Sequence, residues 1–141
     1  MISNACAYAL QAMIYLAAQA PNNFVAVDTV AREVHLPPAF LRKVMQKLVQ
    51  AHLVVAMRGA GGGVCLAIDS RRVSVYDIIL AIDGNKRFVQ CMLHLKGCSV
   101  EKPCPFHAEW TVQRTAIQQQ LQALSLHDIT QTAAIFNKDF R

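Results

Sequence analysis

The chain has 141 residues, 54% hydrophobic content and a net charge of +5. That length bounds it to one domain able to bury a real core. No run reaches the ~18 uninterrupted apolar residues of a membrane helix, and five cysteines, an odd number, do not fit a secreted disulfide scaffold.

Asn4 is placed to cap a first helix from Ala5, apolar nearly all round through Tyr8, Ala9, Met13, Ile14, Leu16 and Ala17. Pro21, Asn22 and Asn23 end it. Ala18-Gln19-Ala20 looks like a signal-peptidase site, but a signal peptide needs a basic start and the first Lys or Arg is Arg32. The segment therefore reads as a buried helix and the protein as cytoplasmic, with no membrane partner.

Asp28 or Thr29 caps a short helix over Val30 to Val34 or slightly earlier. Pro37 biases Leu36 away from helix, and Pro38 suits a first helical position. A third helix follows from Pro38 to about Ala51. Phe40, Leu41, Val44, Met45, Leu48 and Val49 form its apolar stripe; Arg42, Lys43, Gln46, Lys47 and Gln50 lie toward the other face. Two short helices on a tight turn, the second basic on one side, make a helix-turn-helix candidate. The charge agrees: seven cations against Glu33 and Asp69 between Thr29 and Arg72 hold the whole positive excess, as phosphate contact requires.

Leu53 to Arg58 and Val64 to Ile68 read as strands around the glycine tip Gly59 to Gly63, a β-hairpin that after a helix-turn-helix is a wing. The same glycines are not a nucleotide loop. A dinucleotide fingerprint needs glycine where Val64 stands, followed by a helix, and no Gly-Lys-Ser/Thr is present. On such a wing the glycine tip, Gly61 at its centre, lets the backbone approach DNA closely.

Ser74 caps a helix from Val75 to Ile82, closed by Asp83 and Gly84. Beyond Pro103 a long helix runs to about Leu124. Trp110, Ile117, Leu121 and Leu124 recur along it at intervals of seven, four and three, a seam that suits a second subunit. Ser125 to Thr132 adds a short turn of helix, and the last residues read as a frayed end.

Between these helices lies CMLHLKGCSVEKPCPFH. It puts Cys91, Cys98, Cys104 and His107 within seventeen residues, and soft thiolates with an imidazole suit a metal or iron–sulfur cluster. Structural zinc favours tight Cys-x2–4-Cys pairs, and none occurs. A thiol switch between two of the three is a further reading. His94 is a rival ligand, His35 a structural or phosphate-facing residue, and Cys6 and Cys65 small buried apolar residues. Cys104 and His107 stand at i and i+3 on one face at the start of the long helix.

Taken together, the winged helix, Arg58 with its Gly-Ala-Gly-Gly-Gly wing, the helix opening Ser74-Val-Tyr-Asp-Ile-Ile and the three cysteines resemble the Rrf family of bacterial winged-helix transcription regulators, in its IscR/NsrR-like branch. Tyr8-Ala9-Leu10 and Tyr15-Leu16-Ala17 resemble the family's first helix, and the likeness spans nearly the whole chain. It implies a mainly α fold with a small β-hairpin wing, a long dimerisation helix, and no enzymatic activity. It implies a homodimer on a near-palindromic double-stranded DNA operator, regulated by iron–sulfur cluster status, redox state or nitric oxide. IscR-like members hold a 2Fe–2S cluster through three cysteines and a histidine, matched in order by Cys91, Cys98, Cys104 and His107, with one extra residue in the first interval. NsrR-like members hold 4Fe–4S, some with a carboxylate from the first helix of the other subunit; Ala7 stands at that position and no acid precedes Asp28, so 2Fe–2S is favoured and 4Fe–4S is second. Members without a cluster lack the cysteine trio. The family's base-reading positions correspond to Pro37, Ala39, Arg42 and Lys43, with the wing arginine kept as Arg58.

On this reading DNA is contacted by Pro38, Ala39, Arg42, Lys43, Lys47, Arg58 and Gly61. Trp110, Ile117, Leu121 and Leu124 carry dimerisation. The chain divides into a DNA-binding region over residues 1–85, a cluster loop over 86–107, and a dimerisation helix and tail over 108–141. Two alternatives stay open: a cluster-free regulator using thiol oxidation or zinc, and, in another class, a small iron–sulfur electron carrier. The carrier has no use for the basic helix and the Arg58 wing.

Overall fold

The computed structural model describes residues 1–136, and the chain end read as frayed lies outside them. Helix α1 (Asn4–Ala17) is opened by Ser3, not Asn4: the Ser3 hydroxyl accepts the Cys6 amide at 3.1 Å. The displaced cap has a tertiary cause. The Ser3 amide donates to Asp83 Oδ2 at 2.8 Å and its hydroxyl donates to Asp83 Oδ1, so a residue eighty positions away fixes where the helix starts. Cys6, Ala9, Ala12, Met13 and Leu16 are buried, and α1 runs through the centre of the molecule against helices from both halves of the chain.

Helix α2 (Val27–Glu33) begins after Ala26, ahead of the Asp28 or Thr29 cap expected from sequence. Asp28 is thereby placed in its first turn, where a negative charge suits the helix dipole. Helix α3 (Pro38–Gln50) carries Pro38 in its first turn and buries Leu41, Val44, Met45 and Leu48. Tyr8 of α1 meets Phe40 edge-on at 5.5 Å.

Both helices end in the same way. His35 and His52 take φ of +56° and +60°, the left-handed conformation usually given to glycine. The next amide then reaches back, Leu36 to Ala31 O at 2.8 Å and Leu53 to Leu48 O at 3.0 Å. A side chain in that conformation costs about 1–2 kcal/mol. His52→Gly is therefore expected to raise Tm by about 2 °C, net of glycine's extra freedom when unfolded. Thermal melts of the two proteins decide it, and an unchanged or lower Tm overturns the claim.

Strands β1 (Val54–Met57) and β2 (Gly63–Leu66) pair antiparallel, with Val54 opposite Leu66 and Met57 opposite Gly63. The far edge of β2 takes a third partner absent from the hairpin reading. Val25 donates to Val64 O at 2.9 Å and accepts from Val64 N at 2.8 Å, which ties the wing to the segment before α2. A 3-10 turn (Ser70–Arg72) follows.

Helix α4 (Val75–Asp83) opens with a complete capping box: Asp77 N donates to Ser74 Oγ, and Ser74 N donates to the Asp77 carboxylate. Helix α5 (Lys86–Val89) is a single turn where the sequence reads as loop; its Phe88 is buried edge-on to Tyr76 at 5.2 Å. Helix α6 (His107–Ala123) has no fully buried residue. Helix α7 (Leu126–Phe136) is longer than the turn expected there, because Leu126 is fully buried and because Ser125 and Asp128 repeat the capping box.

The Ser125 hydroxyl and amide hold the Asp128 carboxyl below its ordinary value. A carboxyl lowered by folding adds stability above its unfolded pKa of about 4 and loses it as pH falls through the lower folded value. Asp128→Asn is therefore expected to lower Tm at pH 7, with the gap closing below about pH 4. A gap that persists at pH 3 assigns the loss to another cause.

Candidate metal centre and nucleic-acid interface

The cysteine loop is held at its base. Trp110 Nε1 donates to Gln90 O at 2.9 Å, and Arg114 Nη1 donates to Val89 O at 2.8 Å, so α6 grips the backbone just ahead of Cys91. Two tight turns then bring the thiols together. His94 N donates to Cys91 O at 3.0 Å and Cys98 N donates to Leu95 O at 3.2 Å, with His94 and Gly97 in left-handed conformation.

The Sγ atoms of Cys91, Cys98 and Cys104 all lie within 4.8 Å of one another. Cys91 and Cys104 are 3.9 Å apart, and Cys98 Sγ stands 3.3 Å from His107 Nδ1. The three thiols thus form one close group. Each cysteine is half-buried, open enough for delivery of a metal. His107 lies on the rim of the trio, beside Cys98. His94 is exposed and makes no hydrogen bond to a thiol among the described residues.

Backbone amides tune the thiols. The Leu95 amide, with help from its neighbours, holds Cys91 below the ordinary thiol value. Cys98 receives the Cys104 amide at 3.4 Å, but desolvation and the adjacent Cys104 and Cys91 thiols outweigh it and the net shift is upward. The thiolate, which is the ligand species, is therefore favoured at Cys91. Cys6 and Cys65 are the opposite case. Burial, with Asp83 adding to it, pushes Cys6 up to about 11, and burial raises Cys65.

On α3 the exposed residues are Pro38, Ala39, Arg42, Lys43, Gln46, Lys47 and Gln50. At 100° per residue, Ala39, Lys43, Gln46 and Gln50 form the outermost ridge, with Arg42 and Lys47 on its two flanks. The flanking cations are engaged. Arg42 Nη2 donates to Asp28 of α2, and Lys47 Nζ donates to Ile82 O at the end of α4 at 3.4 Å. Lys43 makes no such bond among the described residues. Arg58 is exposed at the end of β1, and Gly61 forms the wing tip at φ +74°, with open space where a Cβ would stand. Sequence reasoning misses Gln46 and Gln50 as contact candidates, although their spacing along the outward ridge was an available signal.

The seam of α6 divides in two. Ile117 and Leu121 pack in part against the chain's own core, and Trp110 is committed to Gln90. Leu124 is exposed, and so is Val112 on the same helix. Other residues that sequence reasoning misses act at long range: Arg114, and the group in which Arg87 meets Asp83 at 3.9 Å and donates to Met1 O.

Residues 2–132 match the Rrf2 family, described as an iron-dependent transcriptional regulator. The chain belongs to the Rrf2 family. IscR of Vibrio cholerae is 28% identical over 123 residues, covering 86% of this chain and 70% of that protein. Among solved structures, CymR, the global cysteine regulator of B. subtilis, is 26% identical with a TM-score of 0.78, covering 94% of this chain and 97% of that one. IscR of T. potens is 28% identical with a TM-score of 0.71, covering 94% and 88%. Like these relatives, this Rrf2 protein is a winged-helix, DNA-binding transcription regulator and not an enzyme. Among the described residues no helix is long and apolar enough to cross a membrane.

Proposed function

We propose that this Rrf2 regulator senses iron–sulfur cluster status, redox state or nitric oxide through a cluster held by Cys91, Cys98, Cys104 and His107. The observation that carries the reading is the thiol trio with His107 beside Cys98 at the head of α6. When bound, an iron–sulfur cluster supplies a redox-active and chemically labile centre. The thiol trio with His107 at its rim offers four donors, and such a set would suit a 2Fe–2S cluster. Ala7, with no acid before Asp28, supports the same choice over a carboxylate-ligated 4Fe–4S.

The chain's own residues supply a route from this site to DNA. Ligation fixes the loop after α5, whose Arg87 meets Asp83 at the end of α4. Asp83 also binds the start of α1, and the neighbouring Ile82 carbonyl receives Lys47 of α3. A change in the loop therefore biases the placement of α3, provided the two loop states differ in free energy of docking. Pro38, Ala39, Arg42, Lys43, Lys47, Arg58 and Gly61 serve the DNA contact. The exposed side of α6, with Leu124 beside the half-buried Trp110, Ile117 and Leu121, serves a second copy, so that two wings address a near-palindromic duplex.

A second reading has its own observation. Cys91 and Cys104 at 3.9 Å suit a thiol switch that works without iron. Anaerobic reconstitution with iron and sulfide, followed by resonance Raman spectroscopy and duplex binding by anisotropy, separates the two. Cluster modes with histidine ligation and cluster-dependent binding support the first. A colourless protein whose DNA binding responds to oxidant alone supports the second.

A further inference from the structure

Of the three cations on α3, Arg42 alone carries a planar fork, and it is the one held by a carboxylate. We propose that Asp28 and Arg42 form a guanine-reading pair, with Asp28 the positioning residue and Arg42 the group that touches the base. The inference rests on the DNA-binding assignment of α3.

The ion pair is exposed on both sides, at 54% for Arg42 and 66% for Asp28. Exposed pairs add little to folding stability. An acid on a surface that faces phosphates also costs DNA affinity. The α2 dipole favours an acid in that first turn, but neither it nor attraction of DNA accounts for an acid that reaches across to Arg42. What it does is fix a long side chain. Asp28 sits in the first turn of α2, a short packed helix, while Arg42 is the fifth residue of α3, in the part of a recognition helix that meets base edges.

The hydrogen-bond inventory fits. A guanidinium has five N–H donors in a fixed fork. Only Arg42 Nη2 is engaged, with Asp28 Oδ1, through one of its two hydrogens. Its second hydrogen shares the opposite edge of the guanidinium with Nη1 or Nε, neither of which has a partner among the described residues. Two donors on a planar group match O6 and N7 of guanine. Holding the fork beforehand lowers the conformational entropy lost on binding. It also keeps Arg42 off the phosphates, where it would add affinity for every sequence alike.

The test is a selection from a randomised duplex library of about 30 base pairs, long enough for two half-sites one helical turn apart with flanks. The reduced 141-residue chain is used before and after anaerobic iron and sulfide loading. Wild type, Asp28→Asn, Asp28→Glu, Arg42→Ala and the Asp28→Asn/Arg42→Ala double variant are compared. Wild type is expected to enrich a guanine at one position per half-site, and Arg42→Ala to lose that preference alone. Asp28→Asn should reduce the preference about tenfold while binding a scrambled duplex more tightly, with a salt slope steeper by roughly one unit. Asp28→Glu keeps the charge but displaces it by a methylene, so it should keep the weak scrambled-duplex binding and lose part of the preference. The double variant should match Arg42→Ala in base preference. A guanine preference untouched in both Asp28 variants overturns the pairing, as does an Arg42→Ala loss spread evenly over all sequences. If wild type itself enriches no motif in either state, the sequence-specific reading of α3 falls as well, and that failure is visible without any variant.

Discussion

Replacing Cys98 with alanine is expected to reduce iron and acid-labile sulfide per chain at least about tenfold after anaerobic reconstitution, more than loss of a supporting contact alone costs. Cys98 is the donor with the most neighbours: the Cys104 amide at 3.4 Å, His107 Nδ1 at 3.3 Å, and both other thiols within 4.8 Å. Its removal leaves three donors and unpairs His107. The fold should survive, because the loop base is held by Trp110 and Arg114 rather than by the thiols. Far-ultraviolet circular dichroism and Tm should therefore change little while the iron is lost. Cys65→Ala, distant from the trio, should keep its iron. A Cys98→Ala protein that loads iron as well as wild type places the centre elsewhere.

Gly63→Ala is expected to lower stability by about 3 kcal/mol, or roughly 10 °C in Tm. A Cβ at Gly63 would stand 2.2 Å from Val25 O and 2.7 Å from Ala26 N, at a φ of +150°. Every obstructing atom is backbone, so no side chain can swing aside. Relief requires breaking the Val25–Val64 bridge that ties the wing to the body, and Arg58 would lose its placement with it. Duplex binding should weaken in parallel. Gly61→Ala is the contrast: nothing lies within 4 Å, and the cost is only that of a left-handed alanine, about 1 kcal/mol. Thermal melts and anisotropy of both variants check the order. Equal losses at the two glycines would show that conformation, not contact, governs the wing.

Much of the fold is legible in the sequence because it is local. The Ser74 to Asp77 box, the Leu41–Val44–Leu48 stripe and the glycine-tipped hairpin each depend on residues a few positions apart. The four candidate ligands are legible in order for the same reason, since they fall within seventeen residues. Their convergence, with His107 beside Cys98, is not, because it depends on how the loop turns at His94 and Gly97. Long-range partners leave no trace in the pattern: Asp83 fixing Ser3, Asp28 holding Arg42, and Trp110 donating to the Gln90 carbonyl. The length of α7 escapes a reading by propensity, although Ser125 and Asp128 repeat the box at Ser74. Thr130 and Thr132 are weak helix formers, and burial of Leu126 overrides them.

Helix α6 is anchored to main-chain partners at both ends, with Ile117 and Leu121 packed on the core between them. At its head, Trp110 and Arg114 grip the carbonyls of Val89 and Gln90; at its end, Val75 N donates to Leu124 O and Leu126 N to Val73 O. Backbone carbonyls and amides are supplied by nearly any residue. Substitutions can therefore accumulate along the outward side of α6 without shifting the ends of the helix, and Cys104 and His107 stay in place at its head. In the proposed dimer, the choice of partner copy can then change while the arrangement of thiols and imidazole at the head is kept.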